Sequence, residues 1–248
     1  MENFNYKLII SYNGTNFFGF AKQIEKRTVQ QVLEEKISEL CDEKIFIHSS
    51  GRTDKYVHAI NQVISFKTKK NFVPSKIKKI LNKIIPEDIF VKSVSKVPSS
   101  FHARFSALNK TYMYRIIKEK NIFLNDYTYF YDKEINIKNI KVVATTLIGT
   151  HNFLSFSTSE LSECIRTINF IKFKNKKNEL IIEINADGFL RNMVRMIIAC
   201  FLSVNENKKT LESVKQLLEF PKKGSAIEKV KGCGLYLKNV FYPKKNPK

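Results

Sequence analysis

Apolar residues along this chain recur either at every second position or at every third and fourth, and the two spacings alternate from end to end. Residues 5–12 (NYKLIISY) are short, apolar and closed by Asn13-Gly14, the pattern of a strand entering a turn. Val29, Val32, Leu33, Ile37 and Leu40 then make a helical stripe that runs to about residue 41. Thr28 stands where it can cap that helix, and Gln31 sits at the position that completes a capping box. Residues 44–49 and 62–68 read as strands, 75–84 as a helix and 88–97 as a strand. Beyond them, strands are predicted at 111–117, 127–131, 164–174 and 179–186, and helices at 138–148, 189–203 and 210–219. A last strand is predicted at 234–242.

Strands joined by short turns favour antiparallel pairing. The expected class is therefore α+β, a mostly antiparallel mixed sheet with helices packed on one face. Two α+β halves are expected, 1–105 and 106–248, each a ferredoxin-like or RNA-recognition-like unit, although no sequence repeat relates them. A continuous parallel sheet would contradict this reading.

Composition narrows the setting. With 248 residues and 43% hydrophobic content, the chain can bury one large core or two smaller ones. Lys and Arg number 43 against 23 acidic residues, and the resulting charge of +20 predicts a polyanionic partner. Nucleic acid fits better than a membrane, because the longest apolar run, MIIACFL (196–202), falls far short of the ~20 residues a span needs. The N-terminus has no basic n-region and no small-residue cleavage site, so it reads as a strand. Cys41, Cys164, Cys200 and Cys233 are scattered without close pairing, which suggests reduced structural thiols and a cytoplasmic setting. The chain has no Gly-rich phosphate loop, dinucleotide fingerprint, zinc spacing or Gly-x-Ser-x-Gly. An enzyme here is expected to work without cofactor or metal.

The densest group of reactive side chains is HSSGRTDKYVHA (48–59). Gly51 is expected to supply a backbone geometry barred to other residues. Arg52 and Asp54 could share a cleft, where the guanidinium would keep the carboxylate ionised as nucleophile or general base. The same pair would also suit a turn capped by Asp and closed by an ion pair. FHARF (101–105), if extended, places His102 and Arg104 on one face between two phenylalanines. That pattern serves phosphate contact beside base stacking, or plain aromatic packing. Tyr112 and Tyr114 share a strand face, where a tyrosine can stack on a base, move a proton, or simply pack. DGFLRNMVRMIIACFL (187–202) reads as a nearly all-apolar helix interrupted by Arg191, Asn192 and Arg195. Arg191 and Arg195 would lie one turn apart, each needing an anion or a path to water. The lysine-rich stretches 67–79 and 242–248 read as solvated faces that add long-range attraction.

Read whole, GRTDKYVHA closely resembles the GRTDxGVHA signature of the TruA family of tRNA pseudouridine synthases. The resemblance runs in order over nearly the full chain. SYNGTNFFGF is similar to the family's YDGTxYxGWQ, and TVQQVLEEKI to its first helix. FHARFSA and KTYMYRI are similar to its central segment, FLRNMVR to its late helix and GLYL to its final strand. This resemblance implies the pseudouridine synthase fold, with two halves around a central cleft. It implies cofactor-free isomerisation of uridine in the anticodon stem-loop of tRNA, at positions 38 to 40, by a homodimer. Asp54 then matches the catalytic aspartate, Arg52 its partner in the cleft, and Tyr112 the tyrosine that stacks on the target base. Arg195 matches the basic residue that pairs with the aspartate, and Leu235 the apolar residue beneath the site. His58, His102, Arg104 and Arg191 are the further substrate contacts expected, the last three from the local patterns described above. The chain departs from the family at Lys55-Tyr56 for Ala-Gly, at Phe20-Ala21 for Trp-Gln and at Asn13 for Asp. If position 56 needs a positive φ, a tyrosine there is costly and adds bulk beside the pocket. The competing readings are a paralogue acting on other tRNA or ribosomal RNA sites, and a non-catalytic RNA-binding protein on the same scaffold. An aspartate-nucleophile phosphotransferase would need an Asp-x-Asp loop and a metal site, which the sequence lacks near Asp54.

Overall fold

The computed structural model describes residues 3–160, 164–226 and 228–243. Residues 244–248 of the basic C-terminal stretch lie outside them. Contacts group the chain into two compact units, 1–108 with 236–248, and 109–235. A cut at 105/106 would keep the last strand (Leu235–Phe241) with the second half. In the structure, Tyr236 and Leu237 instead pair in parallel with His58 and Ala59 of the first unit.

The first unit contains β1 (Phe4–Tyr12), α1 (Val29–Cys41), β2 (Ile47–Ser49), β3 (His58–Thr68), α2 (Pro74–Ile84) and β4 (Ile89–Val97). Its strands lie in the order β4-β1-β3-β2, all antiparallel, which is the expected ferredoxin-like arrangement. Strict alternation in β1 buries Tyr6, Leu8, Ile10 and Tyr12 on one face. Each such side chain contributes about 1.5–3 kcal/mol, so register is fixed by this face. In α1, Thr28 accepts from the Gln31 amide at 3.4 Å, but the Gln31 side chain donates to Glu35. The capping box that the sequence allows is thus only half formed. Strand β2 is shorter than predicted, because the Ile45 amide bonds to Ser38 Oγ on α1 instead of to a neighbouring strand.

The second unit contains β5 (Asn109–Ile117), β6 (Tyr129–Phe130), α3 (Ile137–Thr146), β7 (Gly149–Asn152), β8 (Ile165–Asn175), β9 (Glu179–Ala186), α4 (Met193–Asn205) and α5 (Leu211–Glu219). The order β5-β9-β8-β7 is antiparallel, and β6 pairs in parallel with β5. Taken as β5-α3-β8-β9, with β9 in the middle, it follows the order of β1-α1-β2-β3 in the first unit. That repetition is visible in the backbone although the sequence shows none. Strand β7 is a polar GTHN segment, and the absence of apolar alternation leaves it unmarked in the sequence. No helix of the described residues is long and apolar enough to cross a membrane.

Helix α4 ends in an electrostatic cluster. Glu206 Oε2 lies 2.7 Å from Lys133 Nζ and 2.8 Å from Lys208 Nζ, ion pairs whose angles fall short of hydrogen bonds. Tyr131 donates to Glu206 Oε1 at 3.0 Å. Lys133 first and Lys208 second hold the carboxyl down from the usual 4.5 to about 2. A depressed carboxyl stabilises the fold above its unfolded pKa, and the contribution is lost as pH falls through the folded value. The melting temperatures of wild type and Glu206→Gln are therefore expected to differ at neutral pH and to converge between pH 4.5 and about 2. A difference that stays constant across that range would remove this role for Glu206.

Candidate active site

Two chain segments build the loop that carries Asp54. The loop starts where the Ser50 amide donates to Val63 O, and Gln62 joins Ser50 Oγ and Gly51 O. Its middle is held by Thr53, whose carbonyl accepts from the Phe20 amide at 3.0 Å and whose hydroxyl meets Tyr12 Oη at 2.8 Å. Burial pushes the Tyr12 hydroxyl pKa well up, so the group stays neutral in this contact. Gly14 lies backbone against backbone with the loop's far end. A Cβ there would stand 2.2 Å from Val57 O. Gly19 has φ +96°, and a Cβ on it would come within 2.8 Å of Thr53 O. The segment from Tyr12 to Phe20 therefore fixes Asp54 through its backbone, which lets the carboxylate be presented while its support stays buried.

Asp54 opens a four-residue turn closed by the Val57 amide donating to Asp54 O at 3.2 Å. The positive φ of this loop falls on Tyr56 (+66°) and not on Gly51, which corrects the expectation for that glycine. The condition set for position 56 is met: a site that glycine would fill without strain holds a tyrosine. Left-handed backbone in a non-glycine residue costs roughly 1–2 kcal/mol. Full burial of the adjacent Val57 is worth at least as much, so the turn holds. Asp54 is half-buried and Arg52 exposed.

His58, expected among the substrate contacts, is only 2% exposed. Its Nδ1 accepts from the Gly14 amide at 3.0 Å, which puts the ring proton on Nε2, and the ring stacks on Tyr236 at 4.6 Å. It supports the loop from beneath. The FHARF segment is a helical turn, not an extended strand: Ser106 N donates to His102 O, and Arg104 N to His102 Nδ1. His102 and Arg104 consequently do not share the flat face that extended geometry would give them. The His102 ring lies against His48 (4.4 Å) and Phe105 (4.5 Å). Burial, then the neighbouring His48 and Arg104 charges, lower its pKa. Phe105 remains 76% exposed.

The remaining candidates lie in the second unit. Tyr112 on β5 is buried to 7% exposure, with its ring edge-on to Phe189 at 5.0 Å. Tyr114, on the same strand face, is a packing residue whose hydroxyl donates to Lys231 O. Arg191 is not on a helix with Arg195. Asn192 has φ +64° and starts α4 at Met193, so Arg191 precedes the helix and is exposed. Its carbonyl accepts from the Thr158 amide. Arg195, half-buried on the first turn of α4, donates from Nε to Val230 O at 2.7 Å and from Nη1 to Asn192 Oδ1. The guanidinium is thus aimed by two oxygens. Leu235 is buried after a short helical turn at 232–234.

A family model described as tRNA pseudouridine synthase matches residues 8–106 and 143–243. The chain belongs to the tRNA pseudouridine synthase family. The matched spans include the Asp54 loop, Arg195 and Leu235, whereas Tyr112 falls in the stretch between them. A protein of Malacoplasma penetrans named tRNA pseudouridine synthase A is 49% identical over 240 residues, 96% of this chain and 99% of the relative. Relatives of the same name from Mycoplasmoides gallisepticum and Anoxybacillus flavithermus are 41% and 40% identical, covering 97% and 95% of this chain and 92% and 98% of their own lengths. For this pseudouridine synthase family member, the support shell of Tyr12, Gly14, Gly19, Thr53 and Gln62 is what motif reading misses. The two glycines of SYNGTNFFGF are its available signal. Among the described residues, no group of three or more His, Cys, Asp or Glu side chains could hold a metal ion.

Proposed function

We propose that this protein isomerises uridine to pseudouridine in the anticodon stem-loop of tRNA, acting without a cofactor as a cytoplasmic homodimer. The observation that carries the reading is near-full-length identity of 49% to a relative named tRNA pseudouridine synthase A. In the reaction, the bond between ribose C1′ and uracil N1 breaks, the base turns, C1′ joins C5, the C5 proton leaves and N1 gains a proton. Asp54 is the carboxylate that attacks the sugar or removes its proton. Arg52 and Arg195 are the cationic residues assigned to the same reaction. Tyr112 stacks on the loosened uracil and takes part in removing the C5 proton, and Leu235 floors the site. Arg104 and Arg191, exposed in the structure, serve the RNA backbone, with His102 and Phe105 beside Arg104. Extruding the target base costs a few kcal/mol, which phosphate contacts of a +20 protein offset.

The test is pseudouridine mapping on unmodified tRNA and ribosomal RNA transcripts incubated with the purified protein. Product confined to the anticodon stem-loop is expected. Product only at other sites would overturn the substrate assignment, and salt-sensitive binding without product would overturn catalysis.

A further inference from the structure

The Asp54 turn carries aromatic surface that the isomerisation leaves unused. Tyr56 and Phe18 are both large, apolar and partly exposed, at 45% and 37%. Lys55 Nζ sits over both rings, 4.2 Å from the Phe18 centroid and 4.6 Å from that of Tyr56. Lys26 Nζ adds a second cation over Phe18 at 4.9 Å. The Phe18 backbone is fixed by its amide donating to Arg27 O and by Gln23 Nε2 donating to its carbonyl. Among the described residues, the ion pairs of this region, Lys22–Glu34 and Arg27–Asp88, do not include Lys26 or Lys55. Two exposed rings interleaved with two such cations have the composition of a surface for single-stranded nucleic acid, rings for base faces and cations for phosphates.

Position adds to composition. Gly19, next to Phe18, packs against Thr53 O and Lys55 N, and Tyr56 lies two residues from Asp54. Any nucleotide held by these rings is therefore held at a fixed distance from the carboxylate. The left-handed φ of Tyr56 is strain that glycine would relieve, so the ring is kept at a conformational cost. We propose that Phe18, Lys55 and Tyr56 form a stacking platform for an unpaired nucleotide neighbouring the target uridine, and that this platform selects which RNA loop is accepted. The inference rests on the RNA-modifying reading above and adds a specificity-determining contact to it.

Equilibrium binding of an anticodon stem-loop transcript to the full chain tests it. Tyr56→Gly and Phe18→Ala are each expected to weaken binding about tenfold, while Tyr56→Phe binds as wild type. In turnover, the loss is expected in KM and not in kcat. A fully paired duplex of the same length is expected not to distinguish Tyr56→Gly from wild type. Phe46→Ala, which removes another exposed ring topped by a lysine (Lys44), controls for a generic loss of aromatic surface. Melting temperatures guard against misfolding, and Tyr56→Gly is expected to hold its own, since relief of strain offsets the entropy glycine adds to the unfolded chain. Stem-loop binding by Tyr56→Gly and Phe18→Ala equal to wild type would overturn the platform. So would a loss reproduced only by Lys55→Ala, which would leave a simple phosphate contact. Because binding is read without turnover, a protein that binds through Tyr56 but forms no pseudouridine would refute the proposed reaction and leave the platform standing.

Discussion

Asp54→Asn is expected to abolish pseudouridine formation, by roughly ten-thousand-fold or more, while tRNA binding is retained. The amide keeps the size and hydrogen-bonding capacity of the carboxylate but can neither attack a ribose carbon nor take a proton at neutral pH. Binding survives because removing one negative charge from a +20 chain does not weaken its attraction to phosphates. The turn survives as well, since the hydrogen bond that closes it uses the Asp54 carbonyl and the Val57 amide, not the side chain. Product mapping with saturating enzyme, alongside filter binding of the same transcript, separates the two effects. Wild-type product from this variant would remove Asp54 from the chemistry.

The second large effect is expected from a methyl group placed on the backbone that supports the Asp54 turn. Gly14→Ala would put Cβ 2.2 Å from Val57 O and 2.6 Å from Val57 C, and neither backbone atom can rotate away as a flexible side chain could. Either β1's end or the Asp54 turn must move, at a cost of about 3 kcal/mol. That corresponds to a fall in melting temperature of roughly 6–12 °C for a chain of this length. The same shift would break the bond from the Gly14 amide to His58 Nδ1 and displace Asp54. A misplacement near 1 Å costs roughly a hundredfold in rate, so kcat is expected to fall even at temperatures where the variant is folded. An unchanged melting temperature would show that the two backbones separate without penalty.

The secondary elements are legible in the sequence because each rests on a local period. The β1 alternation, the α1 stripe and the apolar ELIIEI of β9 predict their own structure from neighbouring residues alone. The Asp54 loop is legible for a different reason: so many chemically distinctive residues in one fixed order do not gather by chance. Where the pattern misleads, one dihedral or one distant contact decides. Asn192 at φ +64° cuts Arg191 off from α4, and the periodicity of 187–202 gives no sign of it. The FHARF turn forms because His102 Nδ1 and Ser106 Oγ bond to local amides, a choice that alternating residue types do not reveal.

By itself, then, the sequence determined the α+β class, the order of most elements and the family, and it singled out Asp54 as the residue to test and Tyr56 as the costly residue of its loop. Only the tertiary structure decided that the last strand returns to β3, that His58 is a buried prop, and that Lys55 lies over the rings of both Phe18 and Tyr56. The pairing of the last strand, the His58 contacts and the Lys55–Phe18 contact join residues tens to hundreds of positions apart. Local periodicity records which face of an element is apolar, and it carries no information about which distant backbone that face will meet.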